Sequence, residues 1–366
     1  MRYYIIAGEA SGDLHGANLM RAICKTDPEA EIRFWGGDAM KQVGGTQMRH
    51  IKDLAFMGII EVVSHLDTVL GNIKFCKHDI ELFHPDAIIY IDYPGFNLKI
   101  AKWAHSKGYR NYHYISPQIW AWKQGRLKAM RRDLDKLFYI LPFEKDYYAD
   151  NKLPQAEYVG HPLLDAVEKF QSSSPLVDTD KKIIALLPGS RSHELKKTLP
   201  TMVQLAERHP EYQFVIAGMN LLGDAFYRPF IKDNIQVVYD KTYQILSQSH
   251  AAVVCSGTAT LETALFGVPQ VVCYSANPLS IAMARLLIGN KIKFISLANL
   301  IADKGIVTEL IQNEFNLGRL EAEFASICTD DALRQKIHEG YAEVRQILGN
   351  GGASLRVAQA IYQSRH

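Results

Sequence analysis

Short apolar runs rich in Ile, Val and Tyr recur along this chain, and each is followed by a segment long enough for a helix. In the first half they are "YYIIA", "EIRFWG", "DAIIYID", "RNYHYIS", "KLFYIL" and "AEYVG"; in the second, "KIIALLP", "QFVIAG", "IQVVY", "AAVVCS" and "PQVVCY". A run that is apolar at consecutive positions suits a strand buried on both faces, and the intervening segment supplies the crossover that a parallel sheet needs. The pattern therefore predicts an α/β protein built from βα units. It is interrupted at Val167–Lys182, "VEKFQSSSPLVDTDKK", whose Ser, Asp and Lys content suits a linker. The expectation is two Rossmann-like doubly wound domains, residues 1–166 and 182–345, with a cleft between them. Beyond Tyr274 the chain reads as helical, in "SIAMARLLIG", "GIVTELIQN", "RLEAEFASICTDDALRQKIHEGYAEVRQILG" and "ASLRVAQAIYQ". Residues 346–366 form a last helix that either packs back on the first domain or exchanges between subunits of a homodimer.

Charge and length narrow the function classes. The 366 residues suffice for two cores, and a formal net charge of +2 lacks the basic excess of a general nucleic-acid binder. The five cysteines include no C-x-x-C pair and read as reduced, buried thiols. "RYYIIAGEA" goes straight into a strand without a signal-peptide layout, and no apolar run reaches about 18 residues. The expectation is a protein that is soluble or peripheral.

Ligands of doubly wound sheets bind beyond the carboxyl ends of the strands, and there the chain carries more polar groups than turns require. In "AGEASGDLHG" (Ala7–Gly16), Glu9, Ser11, Asp13 and His15 crowd a strand end, either as a polar site or with Asp13 as a helix cap. In "IDYPGFN" (Ile91–Asn97), Asp92 is a general-base candidate or a loop brace, and Asn97 can cap the next helix. In "LLPGSRSHE", a helix start near Ser190 offers backbone N–H groups to an anion, and Arg191 adds a forked cation suited to phosphate, or pairs with Glu194. In "CSGTATLE", Ser256, Gly257, Thr258 and Thr260 open a second such helix, with Glu262 placed to accept from ribose hydroxyls; ordinary capping is the plain alternative. Two anion-ready helix starts in one half favour a nucleoside diphosphate.

No H-E-x-x-H or Cys/His cluster has metal-ligand spacing, and no G-x-S-x-G elbow is present. Trp120 and Trp122, followed by Lys123, Arg126, Lys128, Arg131 and Arg132, form a segment that either grips an anionic head group or joins core aromatics to a solvated helix. Between Met57 and Phe75, Ile59, Val63, Leu66, Val69, Leu70 and Ile73 fall on one helical stripe, which is core or a lipid-facing surface.

Taken in order, "GEASGD", "SPQIWAW", "LPFE", "GHPL", "LLPGSR", "SGTATLE" and "NLIA" closely resemble the lipid-A-disaccharide synthases, from Gly8 to the last helices. The resemblance implies an inverting GT-B glycosyltransferase without a metal or cofactor. It implies transfer of 2,3-diacylglucosamine from its UDP derivative to 2,3-diacylglucosamine 1-phosphate, giving a β-1,6 disaccharide and UDP. The implied setting is the cytoplasmic face of the inner membrane of a Gram-negative bacterium, reached through the Met57–Phe75 stripe and the Trp120–Arg132 segment. Ser190, Arg191, Ser256, Gly257, Thr258 and Thr260 would hold the diphosphate, and Glu262 the ribose. Asn299 and Gln312 enter as further active-site contacts on motif position.

One departure stands out. The family's second loop reads "PDFN", and its aspartate is a favoured catalytic base; this chain has Gly95 there. Asp92 or a first-loop carboxylate, Glu9, would then take the proton, or that aspartate is not the base. Asp86 in "HPDAII" also matches a family aspartate, at the start of a strand. Other UDP-sugar enzymes of this fold, such as an epimerase or a transferase with a soluble acceptor, remain open. So does a non-catalytic UDP-sugar binding protein.

Overall fold

The computed structural model describes residues 1–53, 66–117, 125–172, 175–275 and 293–365. They form two compact units, Met1–Pro162 with Asn350–His366, and Leu163–Gly349.

The first unit is built on a seven-stranded parallel sheet with order β3-β2-β1-β4-β5-β6-β7. Its strands are β1 (Arg2–Ala7), β2 (Glu31–Gly36), β3 (Thr46–His50), β4 (Ala87–Ile91), β5 (Asn111–Tyr114), β6 (Lys136–Tyr139) and β7 (Ala156–Tyr158). Every residue of β4, "AIIYI", is buried, as its consecutive apolar positions require of a central strand. Helix α1 (Ala10–Thr26) follows β1, α2 (Asp38–Val43) follows β2, α3 (Leu66–Phe83) precedes β4, and α4 (Pro94–Ser106) follows it. One face of the sheet packs Tyr4, Ile6, Ile88 and Tyr90 against Ile73, Ile80 and Ile100 of α3 and α4, with Trp35 among them. Each such side chain contributes about 1.5–3 kcal/mol by leaving water.

The second unit has a six-stranded parallel sheet, order β10-β9-β8-β11-β12-β13. Its strands are β8 (Ile183–Leu187), β9 (Gln213–Gly218), β10 (Ile235–Tyr239), β11 (Ser249–Cys255), β12 (Gln270–Tyr274) and β13 (Glu309–Ile311). Helix α5 (Ser192–Arg208) follows β8 and α6 (Thr258–Leu265) follows β11. Helices Leu317–Thr329 and Asp331–Leu348 close the unit; Leu320, Phe324, Ile337 and Tyr341 join its core.

The chain then re-enters the first unit as α7 (Ala353–Gln363), packed along α1. Arg356 ties this return down: its guanidinium donates to the carbonyls of Val159 at 2.8 Å, Gly351 at 2.8 Å and Asn350 at 3.0 Å. Tyr112 and Ser364 share a hydrogen bond of 2.6 Å between β5 and the residue just past α7.

One expectation needs correction. "GIVTELIQN" is not a helix, since Glu309–Ile311 pair with β12 as the sheet's edge strand. The described part of the Met57–Phe75 stripe faces inward: Ile73 is 9% exposed, Val69 and Phe75 pack on the core, and only Leu70, at 48%, is open. Residues 57–65 lie outside the described residues, as do Trp120, Trp122 and Lys123. In the basic helix Arg126–Asp133, two cations are engaged within the chain, Arg132 with Asp133 at 2.6 Å and Arg131 with the Asn151 carbonyl.

Candidate functional site

A doubly wound sheet splays its loops where the strand order reverses, and ligands bind at that switch point. In the first sheet β1 and β4 flank the reversal, so the loops after them, Gly8–Gly16 and Asp92–Asn97, lie side by side. In the second sheet β8 and β11 flank it, bringing Pro188–Glu194 beside Ser256–Glu262. The four polar loops singled out in the sequence therefore form two pairs, one per unit.

In the first pair, Glu9 is the residue before α1 and is half-buried. Asp92 and Tyr93 both take left-handed backbone, φ 45° and 47°, which costs non-glycine residues energy and turns the chain sharply from β4 into α4. Asn97 holds this turn: its amide donates to the Asp92 carbonyl at 2.7 Å and to Ile91 at 3.4 Å. The Tyr93 ring lies over Gly8, where any side chain would meet it at 2.4 Å, so the two loops interlock through that glycine. Burial, and then the nearby Glu9 carboxylate, raise the Tyr93 hydroxyl. Asp13, in contrast, is committed to structure. Its carboxylate accepts from the backbone N–H groups of Gly37 at 2.7 Å, Ala39 at 3.0 Å and Met40 at 3.0 Å, capping α2 rather than its own helix. Ser11 is exposed; His15 is buried, and burial pushes its imidazole down to about 4. Asp86 accepts from the Arg2 N–H at 2.7 Å at the opposite end of the strands, and is a brace. Gly95 is exposed in the first turn of α4, with open space where a side chain would project.

In the second pair, Gly189 takes φ 115° and lets the chain turn from β8 into α5. The backbone N–H groups of Ser190 and Arg191 are directed at the Glu194 carboxylate, each at 3.3 Å, and Arg191 pairs with the same group at 3.5 Å. Glu194 thus occupies the anion position of this loop. Ser190 and the Arg191 side chain are exposed; Thr198 fastens the loop from below through the Pro188 carbonyl at 2.8 Å. Across the switch point lies Cys255, whose thiol burial and the nearby Glu194 push up to about 12.

Gly257 takes φ 150° ahead of α6, and nothing lies within 4 Å of where its side chain would be. Gly257 and Thr258 are exposed, so this turn is open to a ligand. Ser256 and Thr260 are engaged internally. The Ser256 hydroxyl donates to the Ile295 carbonyl at 2.9 Å. Buried Thr260 donates to the Gly257 carbonyl at 2.7 Å and accepts from the Leu297 N–H at 3.1 Å. Their role is to shape the turn. Glu262 is half-buried on α6 and accepts from the Tyr243 hydroxyl at 3.1 Å; burial raises its carboxyl, and that hydrogen bond opposes the rise.

Asn299 is buried, and its amide is spent within the chain. It donates to Val307 and Glu309, both at 2.9 Å, and accepts from the N–H groups of Ile306 at 2.8 Å and Val307 at 3.1 Å. Glu309 in turn accepts from the Ile295 and Ser296 N–H groups and the Ser296 hydroxyl. Asn299 therefore pins the segment before β13. Gln312, just past β13, is half-buried with left-handed φ 56°. Sequence reading overlooked Tyr93, Tyr243 and Glu309, for nothing in their local sequence marks them: each acts on a partner distant along the chain. Among the described residues no group of three or more His, Cys, Asp or Glu is arranged to hold a metal ion, and no helix is long and apolar enough to cross a membrane.

Comparison with known proteins bears on the family and the fold. The family model described as lipid-A-disaccharide synthetase matches residues 3–361. The chain is 35% identical to the lipid-A-disaccharide synthase of Geobacter sulfurreducens, covering 99% of this chain and 97% of that protein. It is 38% identical to that of Nitrosococcus oceani, covering 95% and 92%. Among solved structures, the UDP-GlcNAc 2-epimerase of Neisseria meningitidis bound to UDP-GlcNAc aligns over 99% of this chain and 100% of its own, with TM-score 0.71 and 13% identity. The glycotransferase of kitacinnamycin aligns over 100% and 99%, with TM-score 0.69 and 15% identity. The structural likenesses place the fold in the GT-B class of two parallel-sheet units, and by sequence the chain belongs to the lipid-A-disaccharide synthetase family.

Proposed function

We propose that this chain transfers 2,3-diacylglucosamine from its UDP derivative to 2,3-diacylglucosamine 1-phosphate. The products are the β-1,6 disaccharide 1-phosphate of lipid A and UDP. The observation that carries the reading is the family match over residues 3–361, at 35% identity to a curated synthase.

The loops suggest how the residues share the work. Departure of UDP leaves negative charge on the diphosphate, which needs fixed donors and cations. Arg191 and the N–H groups of Ser190 and Arg191 supply them once Glu194 yields its place, and the open Gly257–Thr258 turn adds the start of α6. Glu262 accepts from the ribose. In an inverting displacement the acceptor hydroxyl attacks the anomeric carbon, the bond to the diphosphate oxygen breaks, and the hydroxyl proton passes to a base. Asp92, presented by a strained turn, is the base in this reading, with Glu9 the neighbouring carboxylate. Asn97 positions Asp92; Thr260, Ser256 and Asn299 shape the donor loops, and Gln312 lies at the end of β13. Both substrates carry acyl chains, which makes an inner-membrane surface the workplace.

The test is UDP release from UDP-2,3-diacylglucosamine by purified protein, with and without the monosaccharide 1-phosphate and without added metal. Acceptor-dependent release with a disaccharide product is expected. Binding of the UDP-sugar without turnover would mark Gly95 as a lost base and leave a binding protein.

A further inference from the structure

Glu262 has one hydrogen-bond partner among the described residues, the hydroxyl of Tyr243 at 3.1 Å on Oε1. Tyr243 belongs to the short helix Thr242–Ser247 that follows β10, on a different connection from α6. Its ring is held from two sides. The Phe266 ring lies at 5.3 Å, tilted 55°, and the Phe170 ring meets it edge-on at 5.9 Å and 89°. Phe170 and Phe266 also pack edge-to-face at 5.5 Å. Three rings from three separate segments thus hold the Tyr243 ring, and with it the point from which its hydroxyl donates to Glu262. A tyrosine has two side-chain torsions, and both are fixed by such packing.

A carboxylate on a helix surface ordinarily samples several rotamers, each presenting its oxygens differently. Here one oxygen is anchored, which leaves Oε2 to accept from a ligand in a set orientation. The donated hydrogen bond also opposes the rise that burial imposes on the Glu262 carboxyl, so it favours the ionised acceptor. A vicinal diol suits that acceptor, since two neighbouring hydroxyls can both donate to it.

We infer that Tyr243 is a positioning residue, which anchors Glu262 so that the enzyme prefers ribonucleotide over 2′-deoxyribonucleotide donors. This rests on the reading of Glu262 as the ribose contact. The ligand class is a pyrimidine nucleoside diphosphate with an intact 2′,3′-diol.

The experiment compares UDP with 2′-deoxy-UDP by calorimetry on the full chain, and measures steady-state kinetics with UDP-2,3-diacylglucosamine. Tyr243→Phe keeps the ring between Phe170 and Phe266 and removes only the hydroxyl. It is expected to raise the donor KM about tenfold, with kcat within about twofold, and to bring the UDP to 2′-deoxy-UDP preference near unity. Phe266→Leu loosens the ring packing but keeps the hydroxyl, and is expected to retain most of that preference. If Tyr243→Phe leaves KM and the preference as in the parent while Glu262→Gln abolishes the preference, Tyr243 does not position Glu262. If Glu262→Gln also leaves the preference intact, the ribose reading of Glu262 fails and the inference falls with it. Equal losses in Tyr243→Phe and Phe266→Leu would reduce Tyr243 to packing.

Discussion

The side-chain amide of Asn97 donates 2.7 Å to the backbone carbonyl of Asp92, one turn into the helix that follows it. Asp92 and Tyr93 are both left-handed, an arrangement that costs about 1–3 kcal/mol per residue and persists only where neighbours hold it. Asn97→Ala should therefore release the turn. Expected are a fall in Tm of a few degrees and a larger loss of turnover, because the Asp92 carboxylate leaves its place. Equal kcat in the two proteins would remove Asp92 from the mechanism.

Gly95 allows a gain-of-group test. Open space surrounds its missing side chain, in the first turn of α4, where a carboxylate is favoured by the helix dipole by about 0.3–1 kcal/mol. Gly95→Asp should fold with equal or higher Tm. Asp92→Asn should lose at least about 100-fold in kcat, and adding Gly95→Asp to it should recover part of that loss. A product assay on the two single variants and the double variant decides it.

Arg191 and Glu194 should move UDP affinity in opposite directions. Glu194 now accepts the two N–H groups that a diphosphate would use and pairs with Arg191. Glu194→Gln removes the competing charge, and UDP should bind several-fold tighter by titration calorimetry. Arg191→Ala removes a charged hydrogen-bond donor and should weaken binding by about 10- to 100-fold, with turnover lost and the fold retained.

Three histidines of the first unit make its stability depend on pH. His113 is fully buried with neither ring nitrogen hydrogen-bonded, and burial pushes its imidazole down to about 3. Burial does the same to His15, to about 4, and to His161, to about 3. These folded values lie below that of an exposed imidazole, so the unfolded chain takes up protons that the folded one refuses. The stabilising effect is complete above about pH 6.5 and is lost as pH falls toward 3–4, by up to about 1.4 kcal/mol per pH unit for each ring. Tm should drop steeply between pH 6.5 and 4.5, and His113→Leu should flatten that slope without stranding a partner. An unchanged slope would mean that His113 is not among the groups responsible.

The sequence reveals every central strand, because burial on both faces writes consecutive apolar residues, and two edge strands as well, β7 and β10. The two that escape notice, β3 "TQMRH" and β13 "ELI", are edge strands whose exposed sides admit polar residues. The four site loops were legible for a related reason, since strand ends rich in Gly, Ser, Asp and Arg stand out against apolar runs. The partners of those polar groups were not legible. Asp13 reads as a cap for α1 and caps α2; Asn299 reads as a ligand contact and spends its whole amide on the segment before β13. Such assignments depend on which backbone the tertiary fold brings alongside, and local sequence carries no record of it.

The return of α7 to the first unit also bears on the order of events during synthesis. Residues 1–162 leave the ribosome well before the helix that covers α1, and the 187 residues of Leu163–Gly349 come between. At about 5–20 residues per second that interval is roughly 10–40 s. During it the surface of α1 that α7 will occupy is bare, and the Val159 carbonyl that awaits Arg356 is unmet. The second unit, continuous in sequence, has no such wait. The earliest-made part of the molecule is thus the last to be completed, and in that interval its uncovered face is what a chaperone, or a second nascent chain, would encounter.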